Sequence, residues 1–401
     1  MSQRKRRARG AWAGAVAVCL LAAGGLVSLP VPESAEQPAE DGRNAVTATA
    51  PDAPLGAFVG SGADGVRRLA ALQRWLGGTN VRVGHTYLPG DHWSRIEGEP
   101  GFLRPWAQWR RAATDRMFVL NVPMMERNEE GVPDAEVRRL LLRAASGAFD
   151  EHFRRLAWNL VEEGVPDTVI VLGWEMNGTT YTHRCGPDPK AWQAYWNRIV
   201  IAMRSVPGQK FRFDFAPSRG EDAVGWTKCY PGDSAVDIIG MDSYDQPPGE
   251  TFDEMIRQPY GLQKQVDFAA QHKKRISYPE WGLFRNGDNP EFVRRMLNWM
   301  AAHKPLYQTI TDYCPHGVWR CRENPQASRV FRHALYDLPD SPTAPSAPAT
   351  PTPPQPPRPP APARRDNCLY VDLGRYLENW FGVRKVCIRL GLLQRLLGRG
   401  D

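Results

Sequence analysis

The sequence predicts an α/β fold, a (β/α)8 TIM barrel over residues 55–338, and three observations carry that expectation. Short β-forming runs alternate with amphipathic helical stretches; eight such runs occur; and low-complexity chain bounds the segment on both sides at a length usual for one barrel. An open doubly wound sheet uses fewer strands. The first run is residues 56–60 (Gly-Ala-Phe-Val-Gly), followed by a helical pattern over 66–76 with apolar residues on one face. Residues 81–87 and Met117–Val122 are rich in Val, Phe and Tyr and form the next two strands. A long helix is expected over 135–161. It leads into 168–173, whose Val-Ile-Val-Leu core suits a strand buried on both faces. A helix over 189–205 opens on proline, which fits a first turn. Strands 211–216 and 236–241 come next, then a helix over 261–272, a strand over 275–278, a helix over 290–303 and a last strand over 307–313.

Composition narrows the function classes. Hydrophobic content of 42% and charged content of 24% are ordinary for a globular chain, whereas 14 tryptophans are many. Aromatic faces in a cleft stack well on sugar rings, although most large aromatics pack in cores. The net charge of +7 is concentrated in Arg4, Lys5, Arg6, Arg7 and Arg9 and in residues 364–401, so the chain between is near neutral and is not built to follow a nucleic-acid backbone. No glycine-rich phosphate loop follows the first strand, and no Cys-x-x-Cys or His-x-x-x-His spacing offers a metal site. The expectation is an enzyme without cofactor or metal, acting as a monomer.

The termini have their own character. Residues 1–31 have a basic start and an apolar stretch, which reads as an export signal; uncleaved, it is a membrane anchor holding the protein on the outer face of the cytoplasmic membrane. Residues 32–54 are a polar spacer, and 339–363 form a Pro/Ala/Thr-rich linker. Residues 364–401 are a small basic segment whose end, from Ile388, reads as an amphipathic helix that adheres to an anionic membrane or cell wall or caps the barrel. With Cys19 in the export segment, six cysteines remain; export favours disulfides, and proximity pairs Cys185 with Cys229, Cys314 with Cys321 and Cys368 with Cys387.

Two carboxylates stand where barrels place their chemistry. Glu175 closes Val-Ile-Val-Leu-Gly-Trp-Glu-Met-Asn-Gly, and Glu280 lies in Arg-Ile-Ser-Tyr-Pro-Glu-Trp-Gly, at the ends of the fourth and seventh strands. Two carboxyls about 5–5.5 Å apart hydrolyse a glycosidic bond with retention, one as acid and the other as nucleophile; a wider gap admits a water and inverts.

These motifs resemble the acid/base and nucleophile motifs of glycoside hydrolase family 26, which belongs to a clan (clan A) of retaining (β/α)8 enzymes with glutamates on strands 4 and 7. Gly56-Ala-Phe-Val-Gly, Phe213-Asp-Phe-Ala-Pro-Ser-Arg-Gly and Val236-Asp-Ile-Ile-Gly-Met-Asp-Ser-Tyr-Asp are similar to that family's strands 1, 5 and 6. The resemblance implies Glu175 as acid/base, Glu280 as nucleophile and Tyr244 as a hydrogen-bond partner holding the nucleophile ionised. Asp242 lines the same cleft, and Asn177 orients the loop or meets substrate. Mannanases of the family carry His before the acid/base, where this chain has Trp174, an indole with one N–H and a stacking face. Trp226, Trp281 and Trp319 are candidate sugar platforms and Arg219 a candidate hydroxyl ligand, while His183 and His316 read as loop polar residues. The expected function is a secreted retaining glycoside hydrolase cleaving β-bonds in a mannan-like or other β-glycan. The alternatives are an inactive barrel that binds glycans at the cell surface and an adhesion protein whose basic tail is the working part.

Overall fold

The computed structural model describes residues 48–336 and two further strands, which fall in two compact units, Met1–Pro339 and Asp340–Asp401. In the first unit the order is β1 (Leu55–Phe58), α1 (Gly62–Trp75), β2 (Val83–Tyr87), α2 (Trp93–Ile96), α3 (Pro100–Arg111), β3 (Met117–Val122), α4 (Asp134–Ala145), α5 (Asp150–Glu162), β4 (Val169–Leu172), α6 (Pro189–Arg204), β5 (Arg212–Phe215), β6 (Ile238–Ile239), β7 (Ser243–Tyr244), α7 (Phe252–Arg257), α8 (Leu262–Gln271), β8 (Arg275–Ile276), β9 (Tyr278–Gly282), α9 (Pro290–His303), β10 (Gln308–Thr311) and α10 (Pro325–Leu335). In the second unit, β11 (Cys368–Asp372) pairs antiparallel with β12 (Lys385–Arg389).

All pairs in the large sheet are parallel, in the order β7-β9-β10-β1-β2-β3-β4-β5-β6-β8. Its two ends meet. Ile238 and Ile239 pair with Arg275 and Ile276, while Ser243 and Tyr244 pair with Trp281 and Gly282. Only Ser277 separates β8 from β9. The sixth and seventh barrel positions are therefore each built of two short pieces, and the ring closes between them: an α/β TIM barrel, as the sequence predicts.

Strand alternation sorts side chains between the helix shell and the barrel interior. On β3, Phe118, Leu120 and Val122 join the large core beneath the helices, while Val119 joins the inner cluster with Val83, Val169, Val171, Trp174, Ala216, Ile238 and Tyr307. The same alternation leaves His85 on β2, Asn121 on β3, Asp214 on β5 and Glu280 on β9 buried on the inner face. Gly84 on β2 faces outward, and a Cβ there would lie 2.7 Å from the Trp109 ring and 2.9 Å from that of Trp106, so α3 seats directly on the strand.

Some elements differ from expectation. The single helix expected over 135–161 is two, α4 and α5. Gly147 turns the chain with φ +97°, and the Arg198 guanidinium packs on it where a Cβ would sit at 2.2 Å. Helices α2, α3, α7 and α10 lie in stretches left unassigned by periodicity. Strand 236–241 contracts to Ile238–Ile239, and the seventh strand extends to Gly282, so Glu280 lies within β9 and not beyond it. The cysteine pairs Cys185–Cys229 and Cys314–Cys321 are disulfides. Ile388 and Arg389 end a strand where a helix was expected. The rest of that stretch, the export segment, the linker and the side chains of Cys368 and Cys387 lie outside the described residues. Among the described residues no helix is long and apolar enough to cross a membrane.

Candidate active site

Glu280 projects into the barrel from β9 and is 6% exposed. Asn121 donates its amide N–H to Oε1 at 3.0 Å, and the Tyr244 hydroxyl donates to Oε2 at 2.7 Å. Tyr244 in turn meets Thr311 Oγ1 at 2.8 Å, and Tyr87 lies near enough to the carboxylate to favour its charged form. Burial pushes the Glu280 carboxyl up, and these three neighbours pull it back by favouring the charged form.

Glu175 sits beyond the end of β4 in left-handed backbone, φ 48°, after Gly173 at φ 58°. Such a conformation costs a non-glycine residue energy and persists where surroundings impose it. Here the Glu175 N–H is bound by the Ala216 carbonyl at 2.8 Å, and the Glu175 carbonyl accepts from Gly178 at 3.1 Å. Its side chain has one hydroxyl partner, Ser218, which donates to Oε1 at 3.0 Å. Burial first, and then the neighbouring Glu280, push the Glu175 carboxyl up to about 8.

A third carboxyl lies beside these two. Asp242 is 1% exposed, its Oδ1 and Oδ2 have no hydrogen-bond partner, and burial together with Glu280 and Glu175 raises it well above the usual range. Three buried carboxyls at one barrel mouth cannot all ionise, so the group holds its protons to unusually high pH.

Aromatic rings wall this cleft. Phe58, at the end of β1, stands edge-on to Tyr87 at 4.5 Å; Tyr87 meets Trp174 at 5.5 Å, and Trp174 meets Tyr181 at 5.0 Å. On the other side Tyr244 and Phe284 each lie 4.8 Å from the His316 ring, and Tyr313, 6.1 Å from Phe58, joins the two walls. Tyr87, Asn121, Ser218, Phe58, Tyr181, Phe284 and Tyr313 were not singled out from the sequence. The signal was present for three of them, since Phe58, Tyr87 and Asn121 stand at or near the C-terminal ends of strands.

The structure brings together Glu175, Glu280, Tyr244, Asp242 and Trp174 and sets other candidates apart. Trp226 and Trp281 are fully buried; their indole N–H groups are bound by the Tyr260 carbonyl and by Gln308, so neither offers a face to a ligand. The reason is alternation, which turns Trp281 to the helix shell because its neighbour Glu280 faces inward. Trp319 is half-buried beyond β10, its backbone N–H held by Asp312 at 2.9 Å, and packs against the main core. Asn177 is fully buried and spends its amide on the Ser218 N–H and on the Ser218 and Gly220 carbonyls, so it latches the loop carrying Ser218 and does not meet substrate. Arg219 is turned away as well. It pairs with Glu250 at 3.0 Å, binds the Tyr244 and Gln246 carbonyls, and its side chain is 4% exposed. His183 is buried, with Nε2 on the Trp174 carbonyl at 2.8 Å, and burial lowers it to about 4. His316 binds the Leu283 carbonyl at 2.7 Å. Cys314, Cys321 and Glu323 have ligand-like spacing, but the two sulfurs are joined in a disulfide and are not thiolates.

No family model matches the chain, and no curated protein is a significant match. Solved structures do match it. A Bacillus subtilis mannanase, BCman, aligns with a TM-score of 0.53 at 15% identity over 72% of this chain and 86% of its own. A modular endo-β-1,4-mannanase of glycoside hydrolase family 26 from Cellulomonas fimi aligns with a TM-score of 0.52 at 16% identity, covering 67% of this chain and 65% of that one. GH26C from Muricauda sp. MAR_2010_75 aligns with a TM-score of 0.53 at 15% identity over 73% and 88%. The chain has the barrel fold of the family 26 mannanases.

Proposed function

We propose that this protein is an exported retaining glycoside hydrolase acting on a neutral β-linked glycan of the mannan kind. The observation that carries the reading is the unequal provision of hydrogen bonds to two interacting buried carboxyls: two on Glu280, with Tyr87 beside it also favouring the charged form, and one on Glu175. Where two such groups share one negative charge, the better-solvated one holds it. Glu280 is then the carboxylate nucleophile and Glu175 the protonated acid.

In the first step a Glu280 oxygen bonds to the anomeric carbon as the glycosidic C–O bond breaks, and the Glu175 proton passes to the leaving oxygen. Esterification removes the charge on Glu280, which lets Glu175 act as a base. It then takes a proton from water, whose oxygen displaces the Glu280 ester and restores the original configuration. Two features favour neutral sugar. The charged neighbours acting on Glu175 are carboxylates, and Arg219 is turned away from the cleft. The fold it shares with a Cellulomonas fimi endo-β-1,4-mannanase supports the mannan class, and two disulfides support export.

The test is a reducing-sugar assay over a panel of soluble β-glycans, with product configuration followed by NMR. Net retention on a mannan is the expected result. Glu175→Ala and Glu280→Ala should each lower kcat by about 10²–10⁴-fold or more in a folded protein. Near-native turnover in either variant sinks the assignment, and a panel without any turnover leaves a glycan-binding barrel.

A further inference from the structure

We infer that His85 is a positioning residue for the Glu280 carboxylate and acts through the side-chain amide of Asn121. This inference rests on the enzymatic reading above for its consequence in catalysis, but not for its geometry. His85, Asn121 and Thr309 are all fully buried on the inner faces of β2, β3 and β10. His85 Nε2 lies 2.9 Å from Asn121 Oδ1, and Asn121 Nδ2 lies 3.0 Å from Glu280 Oε1. On the far side of the imidazole, Nδ1 lies 3.0 Å from Thr309 Oγ1, whose hydroxyl also donates to the carbonyl of Pro279, the residue before Glu280.

Donor counting sets the proton positions. An ionised carboxylate only accepts, so Asn121 must face Glu280 with its NH2 end. Its Oδ1 then faces His85 and requires a donor, which makes Nε2 the protonated ring nitrogen. Nδ1 is left unprotonated beside Thr309 Oγ1, whose single proton it shares with the Pro279 carbonyl. Burial lowers the imidazole to about 4, so above that pH the ring carries one proton and its tautomer decides which way the amide points. Without the Nε2 donor, Asn121 Oδ1 is left buried without a partner, and the amide is no longer held in hydrogen-bonding register with Glu280.

The other groups facing Glu280 leave this contact a distinct share. Tyr87 comes from β2 and Tyr244 from β7; Tyr244 donates to the carboxylate, and Tyr87 beside it favours the charged form. Glu175 follows β4, Asp242 follows β6, and Tyr313 follows β10; burial raises all three above their ordinary values, and none of them donates to Glu280 by a hydrogen bond among the described residues. Both tyrosines therefore survive loss of Asn121, and the expected effect is partial.

The experiment follows the Glu280 carboxyl by 13C NMR titration of the full chain labelled at glutamate carboxyls, in a Glu175→Gln background that removes the interacting partner. His85→Ala should raise the Glu280 titration by about one pH unit, a tenfold change in proton affinity. Asn121→Ala should raise it equally, and the double variant should add nothing, since the two residues act in series. His85→Gln, whose amide can donate to Asn121 Oδ1, should restore the native titration. In the unsubstituted protein the 15N shifts of His85 should report the Nε2-protonated tautomer, a reading that survives even if His85→Ala fails to fold. An Nδ1-protonated ring, an unmoved Glu280 titration in folded His85→Ala, or additive shifts in the double variant would overturn the inference. None of these readouts uses substrate, so a failure of the glycan panel strikes the enzymatic reading alone.

Discussion

Glu175 and Glu280 are the same residue type in the same cleft, and what separates them is the count of donors each receives. That difference makes predictions at single positions. Tyr244→Phe removes the hydroxyl bound 2.7 Å from Glu280 Oε2. Losing a hydrogen bond to a charged group costs about 1.5–3 kcal/mol, so kcat/KM should fall roughly ten- to a hundredfold and its acidic limb should move to higher pH. A pH–rate profile checks both, and an unmoved acidic limb would deny Tyr244 that role. Glu175 predicts a linkage effect. Its folded carboxyl titrates near 8, above the range of an unfolded chain, so the folded state holds the proton more tightly and stability falls as pH rises between those values. Glu175→Gln cannot ionise and should therefore raise Tm at pH 8 but not at pH 4; an equal change at both refutes the shift. At this scale the motif residues Glu175, Glu280 and Tyr244 were legible because each sits in a distinctive run. Asn121, Tyr87 and His85 were not, being ordinary members of β-forming runs whose inward direction depends on register.

Loops after β4, β5 and β7 carry polar residues whose roles the local sequence does not separate. Asn177 and Arg219 stand near the catalytic motifs in sequence, and their polar heads suit sugar hydroxyls equally well. Both instead tie loop to loop: Asn177 holds Ser218 against Glu175, and Arg219 joins the β5 loop to the carbonyls of Tyr244 and Gln246. Arg219→Leu should destabilise the fold by about 3 kcal/mol, the lower end for a buried pair, because it leaves Glu250, whose side chain is 14% exposed, without its partner. Denaturant unfolding measures this, and a cost below about 1 kcal/mol, the worth of a surface pair, would show the pair to be solvated. The break between α4 and α5 was missed for a local reason. Gly147 within an apolar-periodic stretch is tolerated in many helices, and only the Arg198 guanidinium seated on it marks this glycine as a turn.

For the molecule as a whole, the barrel closes through its own strands, and both proposed catalytic carboxyls belong to it. A chain ending at Pro339 should therefore keep its turnover on soluble glycan within about twofold, the precision expected when no contributing group is removed. Loss of activity on soluble substrate in that truncation would assign residues 340–401 a part in the chemistry. The alternating strand and helix pattern was enough to predict a closed barrel, since eight βα units in one compact segment have few other ways to bury their apolar faces.

Sequence by itself determined the fold class and the two acids on which the proposed chemistry rests. Both follow from local pattern: periodicity sets strand or helix, and the order of strands sets which ends share a face. Tertiary structure alone decided which aromatics line the cleft and which fill the core, setting Tyr87 and Tyr181 in the wall and Trp226 and Trp281 in the interior. It also decided which carboxyl is the better solvated. The physical reason is that burial and hydrogen-bond count depend on neighbours drawn from β2, β3, β7 and β10, far apart in the chain and adjacent only once the ring has closed.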